Sequence, residues 1–338
     1  MATSGPSDPY AELDTRLAVA TRGIRMLDSL SWPASAQHGF VTAWNAGRAR
    51  LPVVEYARFD FSAVRDELRA IANAADPAHP VGDYIRRSAE SWCIATELLE
   101  SMGTSSITHH SAKLFGRPED RVPGAKLTHL DAARHFIAIA DEYDSGALLN
   151  GAGIDMSAET LRDELQGRLD LFFGVGVVSV ETDPTLIAKA AAGATRIRLR
   201  SSTRFTPYDR EQLLAHEAFV HSLTALNGRG QPNLKSLARA SPRTIATQEG
   251  LAVFAELMSG SIDIARMKRI GLRILGIDMA IRGADFIEVF RFFMDAGQTA
   301  NDSFSSSQRV FRGAPVTGGA AFTKDAVYLH GLLSVHTF

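Results

Sequence analysis

The stretch LLAHEAFVHSLTALN, Leu213 to Asn227, governs how the whole chain is read. It sets His216, Glu217 and His221 inside one helical pattern, with the second histidine five residues after the first. A zinc ion that activates water takes three protein ligands and keeps a further position open. Two neutral imidazoles and one carboxylate leave such an ion enough charge to lower the pKa of its water toward ~7. A carboxylate beside that water takes its proton and later hands it to a leaving amine. A Glu directly after the first histidine is where HExxH metalloproteases put that group. The residues therefore point to one Zn²⁺ held by His216 and His221, with Glu217 as the catalytic base.

The spacing is not that of HExxH. Residues four apart on an α-helix lie about 40° apart in projection, whereas residues five apart lie about 140° apart. A regular helix cannot aim both imidazoles at one ion. The spacing predicts one widened, π-type turn between His216 and His221, a distortion frequent at functional sites. The bland alternative is two unrelated histidines on an amphipathic helix.

A third ligand is available in TQEGLAVFAE, Thr247 to Glu256, which opens a strongly helical run. Thr247 is the expected N-cap, and an acid in the first turn also complements the helix dipole without binding anything. Glu249 is preferred as ligand because Gly250 beside it permits close approach of another backbone. Glu256 is the second candidate.

Four blocks carry a family resemblance: HEAFVHSLTALNGRGQP (His216 to Pro232), TQEGLAVFAE, RVFRG (Arg309 to Gly313) and FTKDAVYLHG (Phe322 to Gly331). In that order they resemble the QEGLA-motif family, over roughly Val177 to the C-terminus. The family includes the microtubule-associated tyrosine carboxypeptidases of animals, which remove a C-terminal tyrosine from tubulin, and bacterial relatives of poorly defined role. The resemblance implies a zinc metallopeptidase with an HExxxH helix. Carried over, it makes His216, His221 and Glu249 the metal ligands and Glu217 the catalytic residue. A chain of this kind need not share that substrate.

The rest of the chain sets bounds. Its 338 residues suffice for one large domain or two lobes. A formal charge of −2 gives no broad basic field, so nucleic acid is not an expected partner. The single cysteine, Cys93, excludes an internal disulfide and reads as helical core filler. No signal-peptide pattern and no run of ~18–20 apolar residues occurs, so no membrane partner and a cytoplasmic location are expected.

Residues 1–10 read as a mobile leader and 11–150 as an N-terminal helical lobe, with helices over 11–30, 60–75, 81–102 and 127–142. The run 104–120 reads as loop around a short helical centre, with His109 and His110 on different faces. Gly-rich 147–155 reads as a hinge and lacks the order of a phosphate-binding loop. A metallopeptidase lobe is expected over 151–338. In it, Ser157 caps a helix, 175–182 is a strand, 183–192 a short helix, and 195–201 a second strand. That second strand alternates Arg196, Arg198 and Arg200 with Ile197 and Leu199. By analogy with zincin-like proteases it is expected as an edge strand lining the cleft, with Arg200 toward substrate; the alternative is a solvated basic edge that deters aggregation. Thr206 and Pro207 read as N-cap and first residue of the metal helix. Helices follow over 262–283 and 285–296, with Phe286, Phe290 and Phe293 as core.

A carboxypeptidase must hold its substrate's terminal carboxylate, a task suited to the planar fork of Arg. Arg309, Arg312 and Lys324 are the substrate-binding candidates, with Arg312 or Lys324 preferred for the carboxylate. The Tyr328 hydroxyl is the candidate donor to the oxyanion formed when water attacks. The alternatives are structural ion pairs and a buried aromatic.

The expectation is thus an α+β, mostly helical chain, zincin-like in its second half, with a small sheet and an N-terminal helical lobe. It is expected to act as a zinc-dependent carboxypeptidase on a peptide or protein C-terminus, removing one residue, tyrosine or another aromatic, by attack of metal-activated water. A zinc endopeptidase or aminopeptidase on the same scaffold is the second reading. A regulatory protein that keeps zinc for structure is the third; the scarcity of cysteine and the intact Glu217 argue against it.

Overall fold

A computed structural model describes residues 8–144, 156–184, 186, 189–262 and 264–338. The chain is mostly helical with one small sheet. It opens with α1 (Pro9–Ala20), α2 (Met26–Ser29), α3 (Ala34–Asn45), α4 (Ser62–Ala74), α5 (Pro80–Glu100), α6 (Ser106–Phe115) and α7 (His129–Asp144), followed by α8 (Ala158–Phe173). Three strands come next: β1 (Ser179–Asp183), β2 (Ala190–Ala192) and β3 (Arg196–Arg200). One unbroken helical run then carries α9 (Pro207–Leu213), a π-helix (Leu214–Ser222) and α10 (Leu223–Gly230). The chain ends with α11 (Ile245–Met258), α12 (Ile264–Ile281), α13 (Phe286–Asp295), α14 (Ala300–Phe311) and α15 (Ala326–Thr337). Among the described residues no helix is long and apolar enough to cross a membrane.

Most expected helices stand where periodicity puts them, and several expectations change. The helix expected over residues 11–30 is two, because α1 ends at Thr21, where Thr21 Oγ1 turns back to Leu17 O at 2.9 Å. Pro9 and Tyr10, expected in a leader, open α1, and Asp8 Oδ1 caps it by accepting from Tyr10 N. Residues 1–7 and the expected hinge at 147–155 lie outside the described residues. The helix α3 was not foreseen. The helix expected over 183–192 is contradicted at its end, where Ala190–Ala192 pairs antiparallel with β3. Tertiary pairing there overrides the helix preference of alanine.

The sheet has the order β1-β3-β2, with β1 and β3 parallel and β2 antiparallel to β3. The arginine-bearing strand is therefore central, not the expected edge. Its apolar face is buried, Ile197 and Leu199 joining Leu161, Leu165 and Leu169 of α8 and Phe205, Leu214 and Ala218. This cluster backs the π-helix and fixes it against the sheet.

The other cores join distant parts of the sequence. Leu13, Leu17, Ile71, Ile85 and Leu98 pack with Phe322 and Val327. Trp32 and Phe40 join Phe286, Phe290, Phe293, Phe304 and Phe311 in an aromatic core, as the phenylalanine spacing predicts. Val253 of α11, Ile270 and Ile274 of α12, and Leu329 and Leu332 of α15 form a further cluster beneath the site.

Candidate metal centre

The site is built on the Pro207–Gly230 run. Thr206 and Asp209 form a reciprocal capping box with Pro207 in the first turn, and Lys189 Nζ reaches Asp209 at 2.7 Å. The helix widens immediately after Leu213. Residues five apart then stand one above the other, and the His216 and His221 rings lie 4.8 Å between centroids. Ser222 Oγ donates to Gly193 O at 3.0 Å and pins the far end of the wide turn beside β2.

The facing wall is α11. Its helix starts earlier than expected, with Thr244 and not Thr247 at the cap position, so Glu249 lies in the second turn. Gly250 of α11 rests against Gly331 of α15, and a Cβ on either would fall well inside 3.0 Å of the other helix's backbone. That contact sets α11 and α15 together and brings residues of both to the histidines.

Ligand atoms of His216, His221 and Glu249 all lie within 4.8 Å of one another. Glu249 Oε2 is 3.4 Å from His216 Nε2 and 3.9 Å from His221 Nε2. The other oxygen, Oε1, accepts from Lys324 Nζ at 3.0 Å. The carboxylates of this site act unequally on the two imidazoles. Burial works against the His216 imidazolium, but the Glu249 and Glu256 carboxylates outweigh it and push the ring up to about 10. Burial likewise works against the Glu249 carboxylate, yet Lys324 and His216 hold it well below the usual range. Burial pushes His221 down. Two nitrogens and one carboxylate oxygen within 4.8 Å of one another make a donor set suited to Zn²⁺. These residues could hold one ion.

Glu217 stands beside the histidines, half-buried, with no hydrogen bond or ion pair among the described residues. Glu256, the second ligand candidate, is committed elsewhere: it is fully buried and sits 2.5 Å from His216 Nδ1, on the opposite edge of the ring from Glu249. Arg266 of α12 forks onto its two oxygens. Sequence reading missed Arg266 because its partner lies on another helix.

The basic candidates separate into different tasks. Lys324 is buried and paired with the candidate ligand Glu249, Nζ to Oε1 at 3.0 Å, so in this structure its charge is directed at that carboxylate. Arg309 is clamped on Asp325, Nε to Oδ2 at 2.6 Å and Nη2 to Oδ1 at 2.7 Å. Its Nη2 also donates to Tyr328 Oη at 3.2 Å. Asp325 is held well down against burial by Arg309 and Arg273. Arg312 differs: its Nε makes no hydrogen bond to the described residues. Burial, then Arg309, pushes Arg312 down to about 10. Arg273, absent from the expected set, is in the same position, with Nε 3.5 Å from Asp325 but not hydrogen-bonded. Arg273 thus shares Asp325 with Arg309, while Arg312 has no ion pair among the described residues. Arg200 is placed apart from it, donating to Thr203 Oγ1 and lining a cavity of about 310 Å³ with His38, Asn301 and Asp302. None of that cavity's lining residues is a candidate ligand.

A protein-family model described as "Microtubule-associated tyrosine carboxypeptidase" matches residues 41–338. No curated protein matches the chain.

Proposed function

The chain belongs to the microtubule-associated tyrosine carboxypeptidase family, and from that premise we propose that it is a zinc-dependent carboxypeptidase with a zincin-like catalytic region in its second half. The observation that carries the reading is the convergence of His216, His221 and Glu249 within 4.8 Å through a π-helical turn, with Glu217, unpartnered among the described residues, next to them. A wide turn costs regular hydrogen bonding, and its position between two imidazoles gives it a reason to persist.

His216 and His221 would hold the ion through Nε2, and Glu249 through Oε2. When bound, zinc supplies Lewis acidity that makes a water nucleophilic near neutral pH. Glu217 accepts the water's proton and returns it to the leaving amine. Tyr328 donates its hydroxyl hydrogen to the oxyanion of the attacked carbonyl, its own oxygen already accepting from Arg309 Nη2 at 3.2 Å. Arg312 takes the substrate's terminal carboxylate, since among the described residues its guanidinium has no carboxylate clamped on it as Asp325 is on Arg309. Lys324 Nζ occupies Oε1 of Glu249 at 3.0 Å, which would leave Oε2 to serve the ion. The N-terminal helices close the region on one side.

The substrate is the C-terminus of a peptide or protein, with tyrosine or another aromatic as the released residue. A pair of peptides ending in tyrosine tests this, one with a free carboxylate and one amidated. Release of tyrosine from the free peptide alone is expected. Equal cleavage of both, or cleavage only at internal bonds, contradicts the carboxypeptidase reading.

A further inference from the structure

We propose that Glu256 and Arg266 are positioning residues of the metal centre: Glu256 fixes His216 as the Nδ1–H tautomer, so that Nε2 alone faces the ion, and Arg266 holds Glu256 in place. The proposal rests on reading His216, His221 and Glu249 as ligands.

Glu249 and Glu256 are seven residues apart on α11, two turns along one helical face. From that face they take opposite edges of one imidazole. Glu249 Oε2 approaches Nε2 at 3.4 Å, and Glu256 Oε1 meets Nδ1 at 2.5 Å. A ring whose Nδ1 donates to a carboxylate must leave Nε2 without a proton when it binds metal. The hydrogen bond therefore selects both the tautomer and the ring's orientation, and makes the ligand more basic.

Glu256 is itself held from three sides. Gln212 of α9 donates to Oε1 at 3.2 Å, Arg266 Nη2 donates to Oε1 at 2.6 Å, and Arg266 Nε donates to Oε2. A buried ion pair alone is weak ground for stability. Here the pair's third member is a metal ligand, which gives the arrangement a use that a simple Arg–Glu pair lacks.

The test uses zinc alone, with affinity measured by chelator competition on the full chain. Glu256→Gln is expected to weaken zinc by about 10–100-fold. Arg266→Gln is expected to weaken it less, and Glu256→Asp, too short to reach the ring, is expected to resemble Glu256→Gln. A folded Glu256→Gln protein that binds zinc within about threefold of wild type overturns the proposal. The wild-type protein supplies a second measurement should the variants fold poorly. Imidazole ¹⁵N NMR of the zinc-loaded chain should show His216 protonated at Nδ1 and metal-shifted at Nε2; the reverse overturns the proposal while leaving the metal reading intact. Wild-type protein that binds no zinc removes the proposed function as well.

Discussion

Gly250 and Gly331 meet backbone to backbone, joining α11, which carries Glu249, to α15, which carries Tyr328. Neither helix could keep its place if either glycine gained a side chain. The glycine of Gln248-Glu249-Gly250-Leu251-Ala252 is there for packing, and the packing delivers the acid to the histidines.

Gly250→Ala should therefore force the two helices apart. A loss of about 1–3 kcal/mol in unfolding free energy is expected, the usual cost of overpacking. Zinc affinity should fall with it, because the displaced helix carries Glu249. Urea titration and chelator competition on one sample would show both; a fully stable variant with normal zinc affinity would contradict this role for the contact.

Glu217→Gln should separate chemistry from metal binding. Turnover is expected to fall by about 10²–10⁴-fold, with one zinc per chain retained. Loss of zinc in this variant would assign Glu217 to coordination and not to proton transfer.

Lys324→Met removes a buried ammonium and leaves Oε1 of the largely covered Glu249 without its partner at 3.0 Å. Breaking a buried pair costs about 3–5 kcal/mol, and that range is expected for the metal-free protein. Zinc supplies positive charge to the same carboxylate, so the loss should shrink when the protein is loaded. Unfolding midpoints with and without chelator would measure the difference; an equal loss in both would place Glu249 outside the metal's reach.

His129 and His330 touch across α7 and α15, Nε2 to Nδ1 at 3.1 Å. Burial pushes both down; the Arg117 carbonyl and Asp120 partly offset it at His129, whereas His129 itself pushes His330 down further. Their folded pKa values lie below the unfolded value, so the unfolded chain binds more protons in that window. Stability is then present above the unfolded pKa of ~6.5 and declines as pH falls toward the folded values. Replacing both histidines by leucine should flatten the decline between about pH 7.5 and 5.5, read as urea midpoints in chelator. An unchanged slope would show that the pair does not carry it.

Much of the candidate site's geometry was legible because its determinants are local. The five-residue interval between His216 and His221 is incompatible with a regular helix, and the wide turn at Leu214–Ser222 is its direct consequence. The capping residues Thr206 and Ser157 and the phenylalanines of α13 were legible for the same reason. What the sequence hid depends on partners far along the chain. Glu256 looks like a ligand until α12 brings Arg266 to it. Lys324 and Arg309 look free until Glu249 and Asp325 meet them. The strand Arg196–Arg200 looks like an edge until Ala190–Ala192, helical by composition, pairs with it.

The central claim is one ion shared by two imidazoles and one carboxylate. X-ray anomalous scattering at the zinc edge, on crystals of the zinc-loaded chain, tests it most directly. The account predicts a single strong peak about 2.0–2.2 Å from Nε2 of His216, Nε2 of His221 and Oε2 of Glu249. A peak bound by other side chains, or none at this place, would contradict it.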